Sequence, residues 1–380
     1  MPMQLTRREW IAGSSALVLA SAGGALAQQQ PGTSGAKQFV IDCHGHYTTE
    51  PGELGEYRKA QIAALSDPAK SPPPSSLRIT DDQLRDSVQI QLRLQRERGT
   101  DTTIFSPRAA GMSHHIGTAE TSRDWTLVCN ELIHRICGLF PQNFIGVGQL
   151  PQSPGVRPDN CLAEMERCVR SYGFVGFNLN PDPSGGYWRD PPLSDRWWYP
   201  VYEKLVELDV PAMVHVSASV NPNFHGTGAH YIAADTTAFM QFLTSDLFRD
   251  FPTLRMIIGH GGGAVPFHWG RYRGLAQDMK RPPLEELLLH NVYFDTCVYH
   301  QAGIDLLVKI IPADNILFGS EMVGAVRGVD PMTGFSYDDT KRMIDAASLS
   351  EENRRKIFEL NARRVYRLDR VAALNSRPKQ

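Results

Sequence analysis

Short, almost uninterrupted apolar runs recur along the chain, and longer amphipathic stretches lie between them. The runs fall at 39–43, 102–106, 144–147, 174–178, 212–216, 254–258, 292–295 and 315–318. A run that is apolar on both faces predicts a strand of a parallel sheet covered by helices. The stretches at 81–98, 122–140, 160–172, 195–208, 237–247, 265–278 and 304–310 predict those helices. Eight such repeats predict a closed (β/α)8 TIM barrel over 39–370 rather than an open sheet. The stretch 351–368 predicts a closing helix, and 371–380 a frayed tail.

Two insertions interrupt the alternation, 51–77 after the first strand and 181–198 after the fourth. Both leave the C-terminal ends of their strands, where barrel enzymes build their pockets. The second carries Trp188, Trp197 and Trp198. Three indoles are costly to leave in water, so this loop is expected to pack as a lid or as a contact in a homodimer.

A hydrophobic share of 42% across 380 residues supports a full core, and the formal net charge is −2. That balance gives no general field to draw nucleic acid or an anionic membrane. An anionic substrate must therefore be gathered by local arginines. The six cysteines form no C-x-x-C pair and read as buried free thiols. Arg7-Arg8 precedes an apolar, small-residue run at 12–27 that ends Ala25-Leu26-Ala27. This pattern predicts a twin-arginine-type export signal over 1–27, with an ordinary secretory signal as the alternative. A flexible leader over 28–38 would follow, and the protein would be periplasmic or secreted. No later stretch of the sequence reads as a membrane span.

The candidate chemistry sits at the ends of the predicted strands. His44-Gly45-His46 follows the first run, and alternation puts both imidazoles on one side. His215 ends the fifth run, His260 follows the sixth, and Glu321 follows the eighth. Five ligand-type or proton-carrying side chains thus fall on the catalytic rim of the barrel. Three imidazoles and a carboxylate suit a borderline divalent metal and leave room for water. His114-His115 reads as part of a solvated loop, and Tyr299-His300 as facing the pocket.

The stretches 39–46, 212–217, 257–266 and 316–321 resemble the amidohydrolase superfamily, in the branch that contains aminocarboxymuconate semialdehyde decarboxylase. The stretches 105–108, 178–183, 267–271, 294–301 and 320–328 are similar to the hydratases of that branch. Glu321 stands where the decarboxylases usually carry Asp. The resemblance implies a TIM barrel holding one divalent metal ion, expected to be Zn2+, on His44, His46, His215 and Glu321. It implies a hydro-lyase that adds water to a conjugated C=C of a small polycarboxylate, giving 4-carboxy-4-hydroxy-2-oxoadipate, in the breakdown of aromatic compounds. Glu321 and His260 would carry the acid–base chemistry, with Glu321 as ligand, acid/base or both. Arg108, Asn178, His225, Tyr231, Arg271 and Arg327 would bind the substrate. A non-oxidative decarboxylase or a hydrolase of the same branch is the alternative. Pathways of this kind run in the cytoplasm, so the export signal implies either a periplasmic reaction or a different substrate.

Overall fold

The computed structural model describes residues 38–371. The expected export signal, all of the leader but Gln38 and all of the tail but Val371 lie outside the described residues. Among the described residues there are nine parallel strands: β1 Ile41–Tyr47, β2 Thr102–Pro107, β3 Phe144–Gly146, β4 Gly148–Gln149, β5 Phe177–Leu179, β6 Ala212–Val214, β7 Met256–Ile258, β8 Val292–Asp295 and β9 Ile316–Leu317. They pair in the order β1-β2-β3 and β4 through β9. β3 and β4 are two halves of one expected strand. Val147 between them donates its N–H to Phe105 O at 2.9 Å, and Gly148 N–H goes on to Gly176 O at 3.0 Å. The ring closes where Cys43 N–H donates to Phe318 O at 2.8 Å.

The continuous apolar runs work as read, because each strand buries both faces. Ile41, Ile104, Ile145, Met213, Ile257 and Leu317 fill the barrel. Their neighbours Phe105, Phe144, Phe177, Val214, Ile258 and Phe294 face the helices. Each fully buried side chain of this kind contributes about 1.5–3 kcal/mol. The first two strands shift register between Asp42 and Gly45. A Cβ on Gly45 would lie 2.2 Å from Thr103 Cγ2, so only glycine lets His44 and His46 flank this point.

Some elements differ from expectation. The helix expected at 237–247 spans Gly228–Leu243, because small residues such as Ala234 and Ala238 pack inward where few large apolar residues mark its start. Tyr231 is therefore on a helix. The stretch 160–172 forms three short pieces, a 3-10 turn Pro158–Cys161, an α-turn Leu162–Glu166 and a π-turn Arg167–Ser171. A third excursion, 324–339, separates β9 from the helix Thr340–Ala346 and was not expected. The insertion after β1 carries its own helix, Gly52–Ala63.

The tryptophan loop folds onto its own barrel. Trp198 is fully buried, and Trp188 packs on Val216, Tyr231 and Ala234. The loop is pinned by buried Asp182, which accepts backbone N–H groups from Ser184, Gly186 and Trp188 at 2.6–3.1 Å and the Ser184 hydroxyl. All six cysteines are free, five of them buried and Cys137 half-buried. No helix among the described residues is long and apolar enough to cross a membrane.

Candidate metal centre and active site

Three imidazoles meet at the C-terminal mouth of the barrel. His46 Nε2 lies 3.1 Å from His44 Nε2 and 3.0 Å from His215 Nε2. Their other ring nitrogens are committed elsewhere. His44 Nδ1 donates to Asp295 Oδ2 at 2.5 Å, and His215 Nδ1 donates to the Val216 carbonyl at 2.9 Å. His46 Nδ1 is 2.7 Å from Ser106 Oγ, which also accepts from Asn178 Nδ2 at 3.0 Å. Ser106 can give its own proton to the Pro107 carbonyl at 3.1 Å. This leaves His46 Nδ1 as the donor and all three Nε2 atoms as lone pairs pointing at one another. Burial, and then the neighbouring imidazoles, hold His46 and His215 well below the ordinary histidine range, so both stay neutral. Three convergent lone pairs in a buried site are unfavourable unless a cation lies between them. The donor set therefore fits a divalent metal.

Glu321 and His260 complete the cluster. One ligand-type atom from each of His44, His215, His260 and Glu321 lies within 4.8 Å of the others. Glu321 reaches β1 because its N–H donates to His44 O at 2.8 Å. Asp42 ties the same two strand ends together, accepting N–H groups from His44 and Ser320 at 3.0 Å and the Ser320 hydroxyl. Burial outweighs those bonds and raises the Asp42 carboxyl to about 6. His260 Nδ1 bonds Asp235 Oδ2 at 2.8 Å, while its Nε2 is buried with no hydrogen-bond partner and lies 4.0 Å from Glu321 Oε2. Burial alone would lower the His260 imidazole. The Asp235 carboxylate, with help from Glu321 and Asp295, overcomes this and pushes it up to about 9. Asp235 thus favours the protonated form of His260, whose Nε2 has no hydrogen-bond partner.

A cavity of about 310 Å3 opens onto this cluster, lined by His46, His215, Glu321, Tyr231, Arg108 and Arg327 among others. Neither arginine forms an ion pair with a carboxylate among the described residues, although half-buried Glu50 lies near enough to feel both charges. Arg327 bonds only the Gly324 and Val323 carbonyls, at 3.3 and 3.1 Å, and Arg108 makes no side-chain hydrogen bond or ion pair. Tyr231 contributes a buried hydroxyl with no partner. The cavity thus presents the Glu321 carboxyl together with two guanidinium groups that form no ion pair.

Other expected site residues fall elsewhere. Asn178 is buried beneath the metal centre and acts on Ser106. His225 is exposed, and its Nδ1 accepts the Gly228 N–H at 3.1 Å at the start of the helix Gly228–Leu243. Arg271 lies on an exposed face of the helix Trp269–Asp278 and does not line the cavity. His300 is exposed, whereas Tyr299 turns inward to Glu321. The expectation that His114 is solvated is corrected. It is 2% exposed, bonded to Leu150 O, Ser217 Oγ and Asn180 Nδ2 at 3.0–3.1 Å. Sequence reasoning missed Asp295 and Asp235. Asp295 stood in plain view as the acid ending an apolar run, the same signal that marked Glu321.

The fold and the histidine–carboxylate centre define a class, and the chain belongs to the amidohydrolase family, whose model matches residues 41–368. It is 59% identical over 333 residues to the 2-keto-4-carboxy-3-hexenedioate hydratase of Sphingobium sp. strain SYK-6, covering 87% of this chain and 97% of that one. The crystal structure of 4-oxalomesaconate hydratase from Rhodopseudomonas palustris superposes with a TM-score of 0.82 at 58% identity, covering 89% of this chain and 98% of that one. A 5-carboxyvanillate decarboxylase from Novosphingobium aromaticivorans, solved with bound manganese, shares the fold at a TM-score of 0.66 and 19% identity, covering 87% of this chain and 98% of that one.

Proposed function

We propose that the protein is a metal-dependent hydratase that adds water across the conjugated C=C of a small polycarboxylic keto acid of the 2-keto-4-carboxy-3-hexenedioate type. The observation that carries this reading is likeness to a hydratase over 87% of the chain. The cavity supports it. Arg108 and Arg327 offer forked donors to two carboxylates, and a guanidinium keeps its charge across the working pH range. Glu321 is placed to take a proton from the attacking water. The hydroxyl then forms the new C–O bond, and the π electrons move onto the conjugated carbonyl. His260 Nε2–H has no protein acceptor and is free to return a proton to the adjacent carbon. Asp235 keeps that proton on His260, and Asp295 keeps the His44 lone pair turned to the centre. The metal we propose is zinc, held by His44, His46, His215 and Glu321, since three imidazoles and a carboxylate form a borderline donor set. When bound it would supply Lewis acidity that lowers the pKa of water.

The test follows the ultraviolet band of the conjugated substrate in H2(18)O, with mass analysis of the product. The expected result is loss of the band with uptake of one labelled oxygen, slowed about 10²–10⁴-fold in Glu321→Gln. Release of carbon dioxide without label uptake would instead establish a decarboxylase. We also propose export, supported by Arg7-Arg8 and the apolar run at 12–27. N-terminal sequencing of the protein from its native host should begin near Gln28.

A further inference from the structure

Glu321 Oε2 is the acceptor of two donors, one half-buried and one buried. The Tyr299 hydroxyl donates to it at 2.8 Å, and the Cys297 thiol lies 3.6 Å away. Glu321 Oε1 takes no hydrogen bond from any described residue. Both ends of the Tyr299–Glu321 bond sit in left-handed backbone, with φ 59° at Tyr299 and φ 50° at Glu321. Neither residue is glycine, and each such conformation costs about 1–3 kcal/mol unless its surroundings impose it. Two strained positions on two different strand-end loops, spent on one hydrogen bond, mark that bond as something the site needs.

The chemistry explains the need. A glutamate side chain has three rotatable bonds, so an unheld carboxylate in an open cavity would sample many positions. A phenol hydrogen-bonded to the carboxylate takes one oxygen and leaves the other presented. We infer that Tyr299 is a positioning residue for Glu321, fixing Oε2 so that Oε1 faces the metal centre and the substrate. This inference rests on the proposed role of Glu321, but it can fail or stand separately.

The experiment uses the full-length, metal-loaded protein and Tyr299→Phe, which removes one oxygen and keeps the ring. Metal stoichiometry and melting temperature establish that the variant is folded and loaded. Its crystal structure is expected to show the Glu321 carboxylate rotated or spread over several positions. A Glu321 that stays in place in that crystal overturns the proposal, whatever the activity. The kinetic arm uses a double-mutant cycle. Tyr299→Phe should lower kcat about 10–100-fold with KM changed less than about threefold. In the Glu321→Gln background the same replacement should cost less than about twofold, because the group it positions is gone. An equal loss in both backgrounds shows that Tyr299 acts on the general fold, and it too overturns the proposal. If the wild-type enzyme hydrates no polycarboxylate, the functional reading falls while the crystallographic arm still decides the role of Tyr299.

Discussion

Asp295 holds the Nδ1 proton of His44 at 2.5 Å, both groups being fully buried, and so determines which nitrogen His44 turns to the metal centre. The second carboxylate oxygen accepts the N–H groups of Gly261 and Cys297 at 2.9 and 3.0 Å. Burial would raise the Asp295 carboxyl, but the hydrogen bond from His44, with the His260 charge and the Gly261 N–H, holds it below the ordinary range. Asp295→Asn keeps the shape and removes the charge. Metal affinity or activity should drop about 10–100-fold, with the metal measured by competition against a chelator. Unchanged affinity together with unchanged turnover would remove Asp295 from the site.

The two cavity arginines form no ion pair among the described residues, with only Glu50 near enough to feel both charges, so they can still pair with a ligand. Arg108→Gln and Arg327→Gln should each lower kcat/KM about 10–100-fold, as expected for losing a charged hydrogen bond, mostly through KM. Arg271→Gln should stay within about twofold, because that exposed side chain does not line the cavity. Equal effects at all three positions would show that only overall charge matters. Steady-state kinetics at two salt concentrations checks this.

Asp182 organises the tryptophan loop by accepting three backbone N–H groups. Asp182→Ala would leave buried donors without partners. Thermal or urea unfolding should show a loss of about 2–4 kcal/mol. Because Trp188 rests on Tyr231, KM should rise as well.

His114 makes a pH signature. Burial lowers its imidazole to about 4, the charges of Arg58 and His115 act in the same direction, and only the hydrogen bond to Leu150 opposes them, less strongly. The unfolded chain takes up that proton below its ordinary value near 6.5, and the folded chain only near 4. The stabilisation is therefore present above pH 6.5 and is lost as pH falls through 4, by on the order of 3 kcal/mol at its limit. His114→Gln should flatten the unfolding free energy between those pH values relative to wild type. Parallel curves would place the titration elsewhere.

The barrel and the histidine–carboxylate cluster at its mouth were legible because both are local signals. A strand buried on two faces is a continuous apolar run, and a histidine just past its end is a rim residue. That logic found His44, His46, His215, His260 and Glu321 without any contact information. It failed where long-range packing decides. His114 is buried by partners 36, 66 and 103 residues away. His225 and Arg271 are placed by the turn of a loop and the rotation of a helix, which no spacing in the sequence encodes. Tyr299 was read as facing the pocket, but its hold on Glu321 needs two left-handed backbone turns that neither residue type announces.

The bond from Cys43 to Phe318 makes the first and last strands neighbours. Residues near opposite ends of the polypeptide, His44 and Glu321, therefore face the same point only after the ring has shut. A chain still emerging from the ribosome, with its final strand in the exit tunnel, has its first histidines but no enclosure around them. The histidine–carboxylate cluster is in this way assembled only once the last strand has been made.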